Sequence, residues 1–415
     1  VKKIHIGEII IGEEERQALL EVIDSGRITE GPRCREFESG FADYIGTRYA
    51  TVVNSGTSAL ILGLKALQED GRFPKIVPGK KVITSPVTYV ATSNAIRLCG
   101  MEPVYVDIDP QTFKLKTGQV EEAVQGHGED NIGLILPVHL MGYPNDMDEL
   151  LEIAGKYDLQ IFEDCAQAHG SIYKGRTLGT IGLMSAYSFY IAHNIQVGEM
   201  GALLTSDLNL STLAKQLKAN GRSCDCVQCT RNTGRCVKQN GSEPMEEDPR
   251  FSHDMVGYNF KTMDFCGALG CVMLKKAEGI RLQRYHNVKK LNELLADCAD
   301  VMQLPEANRD YSYLGYPLII KADSGISRAK LLFLLEEMGI ENRPLFGCIP
   351  LHQKAYEEYK AVYEGRLPNA DHVGKHGFYI GCHQFLDESD LERIASSLIQ
   401  VLKQSELKNS VLCAD

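Results

Sequence analysis

The sequence predicts an α/β fold, with a mostly parallel sheet sandwiched by helices and a smaller C-terminal α+β unit. Three observations carry this. From about residue 48 to 206, short β-branched runs alternate with helical patterns. The 415 residues are too many for one small module and suit a large domain plus a smaller one. A composition of 44% hydrophobic and 24% charged residues excludes wholesale disorder.

The elements follow in order. RYATVVN reads as a strand and SALILGLKALQ as a helix. KKVITS is a strand and ATSNAIRLCG a helix; EPVYVDI and NIGLILPVHL are strands. DMDELLEIAGKYD is the helix before the strand LQIFED. Right-handed crossovers then place the loops that follow the strands on one edge, where ligands bind. SAYSFYIA and GALLTSD are strands around HNIQVGEMG. Residues 222–256 are rich in Cys, Gly, Asn and acids and read as one long loop, a length that is usually functional. From about 273 a long helix, KKAEGIRLQRYHNVKKLNELLADC, leads into the second unit. There GYPLIIKA is a strand, SRAKLLFLLEEMG a helix and ESDLERIASSLIQVLKQ the closing helix. The expected domains are a large one, 1–272, and a smaller one, 273–415.

Lys+Arg 44 against Asp+Glu 55 gives a net charge of −11. A uniformly acidic chain repels phosphate backbones, which argues against general nucleic-acid binding and leaves room for one local anion pocket. The N-terminal VKKIHIGEIIIGEEERQ has too short an apolar run for a signal peptide, and no stretch is apolar enough for a membrane helix. The expectation is a soluble, cytoplasmic protein. The 13 cysteines are an odd number, which argues against a closed disulfide framework. Most read as small buried hydrophobes. Cys224, Cys226, Cys229 and Cys236 are different, falling close together with the density of a metal site. Alone they suit zinc through four thiolates or an iron–sulfur cluster.

Two post-strand loops carry chemistry. Asn54-Ser55-Gly56-Thr57-Ser58-Ala59 joins a strand to a helix. Its small residues admit a ligand to the backbone, and the free N–H groups with the Thr57 and Ser58 hydroxyls suit a phosphate; an ordinary N-cap is the plainer alternative. LQIFED ends in Asp164, on the edge expected to hold the site. A buried carboxylate there needs a cation or several donors, and a protonated pyridine nitrogen is one such cation; capping the next helix is the alternative. Tyr89, in PVTYVAT, can stack on a flat ring or sit in the core.

NSGTSAL, PVTYVATSNAI, PVYVDIDPQTF, PVHLMGYPNDMDEL, EDCAQAHGSIYKGRTLGTIG, SAYSFYIAHNIQVGEMGALLTSD, GYNFKTMD and PLH follow one another in an order that resembles the sugar aminotransferase (DegT/DnrJ/EryC1/StrS) family of fold-type-I pyridoxal-phosphate proteins. The likeness runs from GRITEGP to the last helix. It implies pyridoxal or pyridoxamine 5′-phosphate, with Gly56, Thr57, Ser58 and Ser188 around the cofactor phosphate. It implies Tyr89 against the ring, Asp164 on the ring nitrogen and Gln167 toward the ring oxygen. It also implies a homodimer in which Asn259 reaches the partner's cofactor phosphate.

One departure from the family pattern matters most. Where the aminotransferases carry the lysine that bonds the cofactor, Ser188-Phe189-Tyr190-Ile191-Ala192-His193-Asn194 places His193. Imidazole cannot form a Schiff base. That replacement resembles the branch of 3-dehydratases acting on nucleotide-linked 4-keto-6-deoxyhexoses. In this branch pyridoxamine phosphate is held non-covalently and histidine is the base, a role its ordinary pKa suits. GRSCDC, with GYNFKTMD, GYPLIIKADSGISR and FYIGC, resembles the iron–sulfur members of that branch, the CDP-4-keto-6-deoxyglucose 3-dehydrase-like enzymes. The resemblance therefore implies an Fe–S cluster on Cys224, Cys226, Cys229 and Cys236, or on three of them plus Cys165, and an electron-donating reductase or ferredoxin. Ala166 stands where a further cluster cysteine would be. Arg343, His352 and His383 are the specificity candidates of the smaller unit. The rival readings are an aminotransferase whose lysine was replaced by His193, and a non-catalytic metal-binding interaction protein.

Overall fold

The computed structural model describes residues 2–224 and 251–412, and the side chains of 404–412 are left aside. The chain opens with α1 (Glu13–Ser25) and α2 (Pro32–Ile45). An alternating run follows: β1 (Tyr49–Val53), α3 (Gly56–Glu69), β2 (Lys81–Thr84), α4 (Ala91–Leu98), β3 (Glu102–Tyr105), α5 (Thr117–His127), β4 (Ile132–Leu136), α6 (Met147–Lys156) and β5 (Gln160–Asp164). A small hairpin, β6 (Ile172–Tyr173) and β7 (Arg176–Thr177), precedes β8 (Met184–Ser188), β9 (Gly201–Thr205) and α7 (Leu208–Lys218).

These strands form a seven-stranded sheet in the order β1-β9-β8-β5-β4-β2-β3. β9 runs antiparallel to β1 and β8, and every other pairing is parallel. The predicted mostly parallel sheet is therefore present, with one reversed strand. β4 (IGLIL) and β9 (GALLT) are buried along their whole length, as strands covered on both faces must be. α3 is apolar nearly all round because it packs on β8 and β9 between α4 and α7. Gly63 brings it down onto Phe162 of β5; a Cβ there would lie 2.4 Å from the ring.

The second unit follows α8 (Asp264–Leu294), a helix of 31 residues. The expected domain boundary at 272 falls inside it. Asp264 opens α8 and also receives the backbone N–H groups of Gly31, Arg33 and Cys34 at 2.9, 3.2 and 2.9 Å, holding the start of α2 against it. β10 (Met302–Gln303), β11 (Tyr316–Ile320), α9 (Arg328–Glu337) and β12 (Asn342–Pro344) follow. α10 (Ile349–His352), α11 (Lys360–Tyr363), α12 (Pro368–His376), β13 (Gly377–Ile380) and α13 (Glu388–Leu412) complete the chain. The four strands make an antiparallel sheet, β10-β11-β13-β12. The two units meet beside the site through a bridge between Val87 and Cys348 and the bond from Ile349 N–H to Pro86 O at 2.8 Å. Among the described residues, no helix is long and apolar enough to cross a membrane.

Candidate active site

A cavity of about 400 Å³ opens at the carboxyl ends of β1, β2, β5 and β8, where an open α/β sheet binds ligands. Asp164 is the last residue of β5 and is 4% exposed. Its Oδ2 accepts from Thr92 Oγ1 at 2.8 Å, and its Oδ1 from Ala166 N–H at 3.1 Å. No Lys or Arg among the described residues pairs with it, and burial pushes its pKa up. A buried carboxylate with two neutral donors and a free approach from the cavity suits a protonated ring nitrogen.

The opposite end suits a phosphate. Ser55 N-caps α3, its Oγ accepting from Ser58 N–H at 3.1 Å. Ser55, Gly56 and Thr57 line the cavity together with Ser188 at the end of β8. Gly56 is required by contact, since a Cβ there would lie 2.6 Å from the Ser188 Cβ. Ser58 stands behind this wall and donates its hydroxyl to Asn54 Oδ1 at 2.6 Å, so it builds the helix start. The residues present thus fit a pyridine phosphate at both ends. Tyr89 lines the cavity, 61% exposed, with its ring 6.0 Å from that of Phe346. Gln167 lines it too; its Oε1 accepts from Met141 N–H at 2.8 Å, which turns the amide nitrogen to the other side.

His193 lies on the cavity wall beyond β8. Its Nδ1 is 2.7 Å from the carbonyl oxygen of Ser188. A carbonyl only accepts, so Nδ1 carries the proton and Nε2 keeps its lone pair. Burial pushes the ring's pKa down to about 4. His169, 1% exposed, packs its ring 6.0 Å behind His193. No lysine lines the cavity among the described residues.

Several participants carry no periodic signal and were not expected. Thr92 comes from α4. His139 also lines the cavity: its Nδ1 accepts from Asn145 N–H at 3.2 Å, so Nε2 donates to Glu163 Oε2 at 3.1 Å. Glu163 further accepts three backbone N–H groups, from Gly179, Ile181 and Gly182. His139, Glu163 and Cys165 offer ligand atoms within 4.8 Å of one another, but Glu163 is saturated with donors, so the group reads as a hydrogen-bonded frame beneath Asp164. Cys165 is fully buried and absent from the cavity wall, whereas its neighbours Asp164 and Ala166 are on it.

Other expected residues stand elsewhere. Asn259 is exposed and outside its own chain's cavity. It sits on a ribbon in which Ala219 pairs with Asn259 and Arg222 with His253. Cys224 follows that ribbon, partly exposed and in no disulfide with another described residue. Cys226, Cys229 and Cys236 lie outside the described residues. Arg343 reaches the cavity mouth, whereas His352 and His383 do not line it. His352 Nδ1 accepts from Cys348 N–H at 3.1 Å, so its Nε2 donates to Asp371 Oδ1 at 2.8 Å, and His383 is buried in the smaller unit.

Residues 9–399 match the description "DegT/DnrJ/EryC1/StrS aminotransferase family". The chain belongs to this family. Among DegT/DnrJ/EryC1/StrS relatives, it is 33% identical to the dTDP-4-dehydro-2,6-dideoxy-D-glucose 3-dehydratase of Saccharopolyspora spinosa, over 95% of this chain and 86% of that one. It is 30% identical to the GDP-perosamine synthase of Caulobacter vibrioides, over 94% and 95%. The structure of the Escherichia coli GDP-4-keto-6-deoxy-D-mannose-3-dehydratase with bound hydrated PLP superposes with a TM-score of 0.82 at 26% identity, covering 96% of this chain and 99% of that one. The fold is thus the fold-type-I architecture of the DegT/DnrJ/EryC1/StrS enzymes, and the protein is an enzyme of that family.

Proposed function

We propose that this enzyme uses pyridoxamine phosphate to dehydrate a nucleotide-linked 4-keto-6-deoxy sugar at C3. The observation that carries this reading is His193, an imidazole with its Nδ1 proton tied to Ser188 O at 2.7 Å and its Nε2 unprotonated, at a cavity with no lysine among the described residues. The named relatives supply the substrate class, because the matched proteins include 3-dehydratases of dTDP- and GDP-linked keto sugars. Among the described residues, no cavity-lining amine is available for lysine-dependent transamination.

When bound, the cofactor supplies an amine for the sugar ketone and a ring that accepts electrons. The chain does the rest. Asp164 holds the ring nitrogen protonated, and the α3 start with Ser188 holds the phosphate. His193 Nε2 would take the proton from the cofactor's C4′ carbon and, once protonated, could hand it to the departing C3 hydroxyl, which leaves as water. The test is solvent-deuterium exchange at C4′ with a 4-keto sugar present. Substituting His193→Asn should leave cofactor binding intact and slow exchange by about a hundred- to ten-thousandfold. Exchange at the parent rate would remove His193 as the base and with it the dehydratase reading.

The reading extends to an Fe–S cluster on Cys224, Cys226, Cys229 and Cys236, fed by an electron-donating partner. The cysteine spacing and the resemblance of GRSCDC support it. Anaerobically prepared protein should contain iron and acid-labile sulfide, both lost in Cys224→Ser. Stoichiometric zinc without sulfide would remove the electron-transfer half of the proposal and leave the cofactor site standing.

A further inference from the structure

The cofactor phosphate is provided for at the α3 end, yet the cavity must also take a second, larger anion if its substrate is nucleotide-linked. Among the described residues lining it, Arg343 is the one Lys or Arg. It lies on β12, directly opposite Tyr379 of β13, so the two side chains share the face turned to the mouth. Tyr190, Phe346 and Tyr89 complete an aromatic rim, in which Phe346 lies 6.5 Å from Tyr379 and 6.0 Å from Tyr89. The Arg343 side chain is 47% exposed, available to a ligand entering from solvent.

Among the described residues its one ion pair is with Glu341, Nη2 lying 3.2 Å from Oε1, and the Tyr379 hydroxyl is a further hydrogen-bonding neighbour. Glu341 is anchored on its other side: Oε2 lies 2.9 Å from His5 Nδ1 and accepts from Ile6 N–H at 3.3 Å. The carboxylate is therefore fixed, and the guanidinium meets it through one oxygen only. A guanidinium presents a planar fork that matches two phosphoryl oxygens better than one distant carboxylate oxygen.

We propose that Arg343 binds the diphosphate of the substrate, and that Glu341 is the built-in competitor which that diphosphate displaces. The assignment rests on the nucleotide-sugar reading above. Glu341 then sets a threshold: a singly charged anion gains little by replacing it, whereas a diphosphate gains a bidentate bond.

The test is calorimetric titration of cofactor-loaded protein with CDP, GDP, UDP and dTDP, and with inorganic phosphate as the base-free probe. At least one nucleotide should bind. Arg343→Met should weaken it about ten- to a hundredfold, and Arg343→Lys by less, since charge survives without the fork. Glu341→Gln should tighten nucleotide binding by a few-fold and raise the affinity for inorganic phosphate. Cofactor absorbance, unchanged in all three variants, reports that the fold is intact. A nucleotide that binds Arg343→Met as tightly as the parent overturns the assignment and leaves the nucleotide-sugar reading in place. Failure of all four nucleotides to bind the parent overturns that reading as well. Weaker binding in Glu341→Gln overturns the competitor role alone.

Discussion

Two features of its surroundings fix different properties of the His193 ring. The Ser188 carbonyl decides which nitrogen bears the proton, and burial decides at what pH the other gains one. With the pKa pushed down to about 4 from the ordinary 6.5, Nε2 is free to accept a proton throughout the neutral range. The acid limb of C4′ exchange should accordingly fall near pH 4, and a limb near 6.5 would show a solvated ring. Stability has the same sign. The unfolded chain takes up this proton below about 6.5 and the folded chain only near 4, so folding stability present above 6.5 is lost as pH falls through that window. Burial shifts His169 in the same direction, so His193→Asn should lessen the slope of the urea midpoint against pH without abolishing it. His193 and Asp164 were both legible in the sequence, one as a departure from a family pattern and the other as a strand-end acid. Thr92 was not, because its bond to Asp164 spans 72 residues and leaves no spacing signal.

At the scale of elements, the site is a meeting of strand ends, and α3 packs closely against β8 there. Gly56→Ala would push a methyl group to 2.6 Å from the Ser188 Cβ and part the two sides of the phosphate cradle. The expected result is about a five- to hundredfold loss of pyridoxamine-phosphate affinity in equilibrium dialysis, from one clash of about 1–3 kcal/mol. Ser55→Ala removes only the cap and should cost about 1 kcal/mol of stability with a smaller effect on the cofactor. The strand–helix rhythm from β1 to β5 was readable because each β-branched run is followed by a helical one. The start of α8 was not: the helix begins at Asp264, ahead of the expected 273, because tertiary contacts override the local pattern there. Asp264 is committed to the start of α2, and Gly267 and Gly270 let that helix pack closely, with a Cβ at either meeting Cys34 at 2.5 Å or Phe37 at 2.6 Å. The reversal of β9 was equally hidden, since a buried strand has the same composition in either direction.

At the scale of the whole molecule, the ribbon that carries Asn259 leaves this polar residue exposed and outside its own cavity. If that residue serves the neighbouring subunit, each catalytic centre is a joint property of two chains, and genetic lesions sort by centre instead of by chain. A His193→Asn subunit and an Asn259→Ala subunit should then each be defective as homodimers. Co-refolded in equal amounts, about half the dimers are mixed, and each mixed dimer collects both lesions in one centre and leaves the other whole. About a quarter of the wild-type turnover should therefore return from two defective parents, a complementation that lesions within one centre of one chain cannot produce.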